Sequence, residues 1–273
     1  MDIDVWYDVR NPQQWRRDPA TLYAETLEQI AWADGLGFGA AWLSEHHFTD
    51  EGYLPALTPM LGAIAMRTTR MRLGTAVLLA PLYHPLRLAE ELAVVDALCG
   101  GRIDLGIAPG YRLKEFEVMG VTKSERGTRT DEIIELLLAA WSMPRVTYRG
   151  RHFQFDDVAV APKPVQRPHP PVAVGGEGPR VLERVLDYGD EWMPNEHAGV
   201  EGRIAELQRL AVTRGRDSIP VTIYATPRTP DAIERFAAAG AHRVVFNLPG
   251  SPGGELAGVR ELAALIRPYV VDR

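Results

Sequence analysis

Short apolar runs alternate with helical stretches from one end of this chain to the other, and that alternation constrains the fold more than any motif does. The pattern predicts strands at Ile3–Tyr7, Ala40–Ser44, Met71–Leu79, Arg102–Ala108, Pro171–Val174, Glu191–Pro194, Val221–Ala225 and Arg243–Leu248. Helical stretches are expected at Leu22 to Leu36, near Pro55–Met66, at Pro85 to Leu98, Asp131–Trp141, Pro179 to Leu186 and Glu201–Thr213, then between Thr229-Pro230-Asp231 and Gly240, and at Glu255–Ile266. Met71–Leu79 is apolar almost throughout, as a strand covered on both faces is. Strands that alternate with helices form a parallel sheet. Eight such units closing on themselves give an α/β fold, the (β/α)8 TIM barrel. The length of 273 residues suits a single domain of this kind, spanning 1–273.

One stretch breaks the rhythm. Val146–Tyr148, Arg149-Gly150-Arg151 and His152–Phe155 read as a small hairpin, and Pro162-Lys163-Pro164 through Pro170-Pro171 as a proline-rich approach to the fifth strand. Together they form an insertion over about 144–170. A long loop is expected from Pro109 to about Gly127.

Bulk properties exclude several classes. A formal charge of −6 offers no basic groove for nucleic acid. The lone Cys99 allows no intramolecular disulfide and reads as a small core residue at a helix end. No basic-then-apolar leader and no apolar run of membrane-spanning length are present, so a cytoplasmic protein with no membrane partner is expected.

Barrel enzymes carry their chemistry at the carboxyl ends of the strands. That rule selects Asp8 and Arg10 after the first strand, Glu45, His46 and His47 after the second, and Leu79 to His84 after the third. It selects Gly110, Tyr111, Arg112 and Glu115 after the fourth, Gly175-Gly176-Glu177-Gly178 after the fifth, and Asn195, Glu196 and His197 after the sixth. Histidine exchanges protons readily near neutral pH, which makes His46 and His47 candidates for proton transfer, with a structural role as the alternative. Adjacent residues on an extended segment face opposite ways, which argues against one metal held by both; no metal site is expected. The glycine run between strand and helix reads either as a phosphate cradle or as a tight turn. Pro179 lacks an amide hydrogen and Glu177 would repel an anion, and both weaken the first reading. His84 and His197 read as loop-ordering residues, and Arg126, Arg129 and Asp131 as capping or surface ion-pair residues before a helix.

Several segments resemble the luciferase-like monooxygenase family: Glu45-His46-His47-Phe48-Thr49, Arg72-Leu73-Gly74-Thr75-Ala76-Val77, Pro81 through His84-Pro85, and Gly100-Gly101-Arg102-Ile103-Asp104-Leu105-Gly106. Gly110-Tyr111, Glu115-Phe116 and Gly120 follow the same pattern, as do Pro162-Lys163-Pro164-Val165-Gln166 and Pro170 through Gly176. The resemblance implies a TIM-barrel oxidoreductase that binds reduced FMN or the deazaflavin coenzyme F420 across the carboxyl end of the barrel. His46 matches the family's proton-handling histidine, with Glu45 and His47 holding it or shaping the pocket. Trp42, Ala76, Leu78, Gly110, Tyr111, Arg112, Gly175, Gly176, Glu177 and Gly178 are then the expected cofactor contacts. A small organic substrate, a partner flavin reductase and a homodimer are implied as well. An FMN monooxygenase is the leading reading. A deazaflavin hydride-transfer enzyme is the alternative, favoured by the compact end at Arg243–Pro249, and a flavin-binding barrel without turnover is the third. One departure stands out: the family commonly places an arginine for the flavin phosphate where this chain has Pro109. Arg112 and Arg180 are the substitutes the sequence offers.

Overall fold

The structure, a computed structural model, describes residues 1–248 and 255–269; Pro249 lies outside them. The chain begins with β1 (Asp2–Tyr7), α1 (Pro19–Asp34), β2 (Ala40–Leu43), α2 (Leu57–Ala65), β3 (Arg72–Thr75), β4 (Leu78–Leu79), α3 (Pro85–Leu98) and β5 (Ile103–Ala108). It continues with α4 (Leu113–Val118), α5 (Arg126–Ser142), β6 (Arg145–Arg149), β7 (Gln154–Ala159), β8 (Val172–Gly175), α6 (Val181–Tyr188) and β9 (Glu191–Met193). Then come α7 (Val200–Thr213), β10 (Thr222–Ile223), α8 (Pro230–Ala238), β11 (Arg243–Asn247) and α9 (Glu255–Ile266). The parallel strands run in the order β10, β11, β1, β2, β3, β5, β8, β9, and β4 pairs with β5. Bridges between Trp192 and Val221 and between Asn195 and Tyr224 bring β9 to β10, so the sheet closes on itself as the TIM barrel predicted from the alternation.

Local chemistry places the helices. Asp18 caps α1, accepting from the Thr21 amide at 3.1 Å, and Pro19 occupies the first turn. His84 and Pro85 do the same for α3, and Thr229 and Pro230 for α8. Outward-facing strand side chains such as Val5, Leu43, Leu73 and Leu105 meet the helices in one large core. Inside the barrel, Ala40, Trp42, Ala76, Ala173, Met193 and Val245 form a second, smaller core.

Nearer the amino ends of the strands the interior is charged. Arg243 Nε lies 3.0 Å from Asp4 Oδ2, Arg72 forks onto Asp104 at 2.6–2.9 Å, and Thr222 donates to Glu191. Trp42 Nε1 donates to Asp4 Oδ2 at 2.7 Å. Burial pushes the Asp4 carboxyl up to about 7, although Arg243 and the Trp42 bond oppose the rise.

Three expectations change. The third strand is broken: a cis peptide joins Ala76 to Val77 between β3 and β4. The stretch from Pro109 to Gly127 is not a plain loop. It contains α4, a 3-10 turn at Lys123–Glu125 and the start of α5 at Arg126, five residues before the expected Asp131. Glu115 and Phe116 are buried, and those tertiary contacts hold a short helix that has no amphipathic repeat of its own. The hairpin is also longer than expected. β6 and β7 pair antiparallel, and the Glu132 carboxylate on α5 accepts the amides of Arg151, His152 and Phe153 at 2.7–3.1 Å.

Candidate active site

A cavity of about 1010 Å³ opens at the carboxyl ends of the strands. Its β2 wall is built by the end of the Trp42–His47 segment. Glu45 is buried and accepts from the Leu79 amide at 2.8 Å, the Tyr83 hydroxyl at 2.7 Å and His47 Nε2 at 2.7 Å. That bond from Glu45 raises the His47 pKa against the opposing effect of burial, so the pair favours the ionised form. Glu45 and His47 therefore tie the strand tip to β4 and the turn after it.

His46 faces the cavity. Its Nδ1 lies 2.9 Å from Glu115 Oε1, which also accepts the His47 amide at 3.0 Å. Burial raises the Glu115 carboxyl, but these bonds and the neighbouring imidazoles outweigh it and hold the group below its ordinary value. Tyr53 and Tyr111 meet the His46 ring edge-on, with centroids at 4.9 and 5.8 Å. With Nδ1 committed to a carboxylate, Nε2 is the nitrogen left for a ligand.

A second polar group stands beside it. Ser44 Oγ donates to the Ala76 carbonyl at 3.0 Å, so its lone pairs accept from Trp6 Nε1 at 2.5 Å and from the Tyr224 hydroxyl at 2.8 Å. Burial pushes the Tyr224 phenol well above its ordinary range and keeps it neutral.

The opposite wall is made of small residues. Ala76, Ala108, Gly110 and Gly175 line it, and a Cβ added to Gly175 would meet Val77 Cγ1 at 2.7 Å. Beyond them lies the 175–180 loop. Gly176 has φ of +109°, and a Cβ on Gly176 or Gly178 would meet no atom within 4 Å. Glu177 takes the Asn195 amide and side chain on Oε1 at 2.7 and 2.8 Å. Ser124, Arg126 and Thr128 face this loop across the cavity. Arg180 pairs with Glu183 and Arg184 with Asp131, whereas Arg126 bonds only the Lys123 carbonyl among the described residues.

Of the residues expected for proton handling or cofactor contact, Glu45, His46, Ala76, Gly110, Tyr111, Gly175, Gly176, Glu177 and Gly178 line this cavity. Four do not. Trp42 is fully buried in the barrel interior, one layer below the mouth. Leu78 lies between Val77 and Leu79, and strand alternation turns it outward into the large core. His47 stands behind Glu45, and Arg112 stacks over Tyr53 at 5.6 Å. Trp6, Val77, Tyr224 and Asn247 line the cavity without being among the residues expected there, and so does Arg126, expected in a capping or surface ion-pair role. Trp6, Asp8 and Arg10 follow the period of two along β1 into its loop, and Tyr224 and Asn247 stand at the carboxyl ends of β10 and β11, so the strand-end rule reaches all of them. Among the described residues no three His, Cys, Asp or Glu side chains converge as a metal site requires, and no helix is long and apolar enough to cross a membrane.

A barrel with a cavity of this make-up at its carboxyl face is an enzyme-like α/β barrel. Residues 2–243 match the family model described as luciferase-like monooxygenase, and the chain belongs to that family. It is 34% identical over 170 residues to the oxygenase component of a flavin-dependent trigonelline monooxygenase from Acinetobacter baylyi, covering 62% of this chain and 47% of that protein. It is 32% identical over 214 residues to an F420-dependent glucose-6-phosphate dehydrogenase from Nakamurella multipartita, covering 68% and 62%. Uncharacterized proteins of Sinorhizobium fredii match over 54% and 47% of their own length, so the chain spans about half of these relatives. The fold superposes on the monooxygenase RslO1 from Streptomyces bottropensis with a TM-score of 0.89 at 23% identity, over 99% of this chain and 100% of that one.

Proposed function

We propose that this protein is a flavin-dependent oxidoreductase, a monooxygenase that uses reduced FMN and oxygen on a small organic molecule. The observation that carries this reading is one cavity with three matched parts: a side-chain-poor wall, an anion-ready end and a carboxylate-held histidine. A flat ring can lie along a wall that carries only the small side chains of Ala76 and Ala108, with Val77 packed over Gly175 and Phe116 over Gly110. The open backbone at Gly176 and Gly178, with the uncompensated charge of Arg126, suits a phosphate. Arg126 thus takes over from the arginine that Pro109 displaces; of the substitutes the sequence offers, Arg180 lines the same cavity in an exposed pair with Glu183, whereas Arg112 stacks over Tyr53.

Reduced FMN, when bound, supplies the electrons that activate oxygen. The protein's part is binding, orientation and proton handling. His46 Nε2 gives or takes a proton on the cavity side, while Glu115 fixes the tautomer and stabilises the imidazolium. The neutral Tyr224 donates to Ser44 and presents its own oxygen lone pairs as an acceptor. The aromatic walls exclude water. The oxygenase-component relative supports a separate reductase as the source of reduced FMN. A homodimer belongs to the same reading.

A deazaflavin hydride-transfer enzyme is the second reading, favoured by Pro109 and by the F420-dependent relative. Anaerobic titration with reduced FMN and, separately, reduced F420, followed by fluorescence, tests the two. Tighter binding of reduced FMN is expected. Tighter binding of F420 would convert the assignment to hydride transfer, and binding of neither would remove both.

A further inference from the structure

Nearly every charged side chain around the cavity has an opposite partner. Arg10 holds Glu51, Arg180 holds Glu183, Arg184 holds Asp131 and Glu45 holds His47. Besides Arg126 and Glu177 at the phosphate end, where Glu177 accepts from the neutral Asn195, the exception that faces the cavity is Asp8. It is 7% exposed, its Oδ1 accepts the Arg10 backbone amide at 3.1 Å, and its Oδ2 has no side-chain partner among the described residues. The nearest guanidinium, that of Arg10, is turned to Glu51 and stacked on Tyr53 at 5.5 Å.

Aromatic rings surround this carboxylate. Trp6 and Tyr224 lie with ring centroids 4.4 Å apart, whereas Tyr53 packs beside His46 and already carries the guanidiniums of Arg10 and Arg112 at 5.5 and 5.6 Å. The negative charge of Asp8 reaches the phenols of both Tyr53 and Tyr224 and opposes their ionisation. Burial in turn pushes the Asp8 carboxyl up, and the Arg10 amide and guanidinium only partly offset that rise. Ring faces carry negative electrostatic potential, and a desolvated carboxylate set among them suits an organic cation rather than a hydrated metal ion.

We propose that Asp8, Trp6 and Tyr224 form a subsite for an organic cation, so that the substrate carries a protonated or quaternary nitrogen beside an apolar body. This rests on the flavin reading above, which assigns the Arg126 half of the cavity to the coenzyme and leaves this half to the substrate.

Titration calorimetry on the full chain tests it with benzyltrimethylammonium, benzyl alcohol and benzoate. The cation is expected to bind at least about ten-fold tighter than either of the others. Asp8→Asn should abolish that preference while leaving the affinity for reduced FMN unchanged. Trp6→Leu should weaken the cation selectively, and it carries the test if the Asp8 variant does not fold. Benzoate or benzyl alcohol binding as tightly as the cation, or a folded Asp8→Asn protein that keeps the preference, would overturn the subsite. If the cation preference persists while no flavin binds, the flavin reading fails and the subsite stands.

Discussion

His46 and Glu115 meet at the centre of the candidate chemistry although 69 residues separate them. The imidazole contributes little core area, so His46→Ala should fold normally and lower turnover by roughly 10²–10⁴. Glu115→Gln keeps an acceptor for Nδ1 but loses the charge that stabilises the imidazolium, and should cause a smaller loss. Steady-state kinetics with saturating reduced flavin decides the point; native turnover in either variant would reduce the pair to a structural contact. Glu45 and His47, expected to hold His46 or shape the pocket, brace the strand tip, with Glu45 at the cavity wall and His47 behind it. Both readings are compatible with Glu-His-His, and only the side-chain directions separate them.

At the scale of elements, the break between β3 and β4 shapes the cavity wall. Thr75 Oγ1 donates to the Gly106 carbonyl at 2.6 Å, and a Cβ on Gly106 would overlap the Thr75 carbonyl oxygen. Backbone cannot yield as a flexible side chain can, so Gly106→Ala should destabilise by about 1–3 kcal/mol. Gly62→Ala in α2, where a Cβ meets nothing within 4 Å, should instead stabilise by about 0.5–1 kcal/mol. Denaturant midpoints measure both; shifts of the same sign would contradict this account of the wall. The element least legible in the sequence is α4. Leu113, Val118 and Met119 are exposed, so apolar periodicity gives no sign of the helix. Its buried face consists of Glu115 and Phe116, whose partners come from distant parts of the chain.

For the molecule as a whole, the barrel interior sets three carboxyls, Asp4, Asp104 and Glu191, against two guanidiniums, Arg72 and Arg243. Burial raises both Asp4 and Glu191, so folding retains a proton that the unfolded chain releases above its ordinary Asp value of 3.8. Stability should therefore fall as pH rises from about 4 toward the Asp4 value of about 7, and level off above it. Asp4→Asn should flatten that slope in chemical denaturation across this range; an unchanged slope would place the excess proton elsewhere. The alternation of strand and helix, the caps Asp18 and Thr229 and the glycines of the 175–178 loop were determined by sequence alone, because periodicity and turn chemistry act over a few residues. The tertiary structure alone decided that Glu115 holds His46 and that Arg126, Asp8, Tyr53 and Tyr224 line one cavity. Closing the barrel brings strand ends far apart in the chain around one cavity, and no local pattern records which side chains meet there.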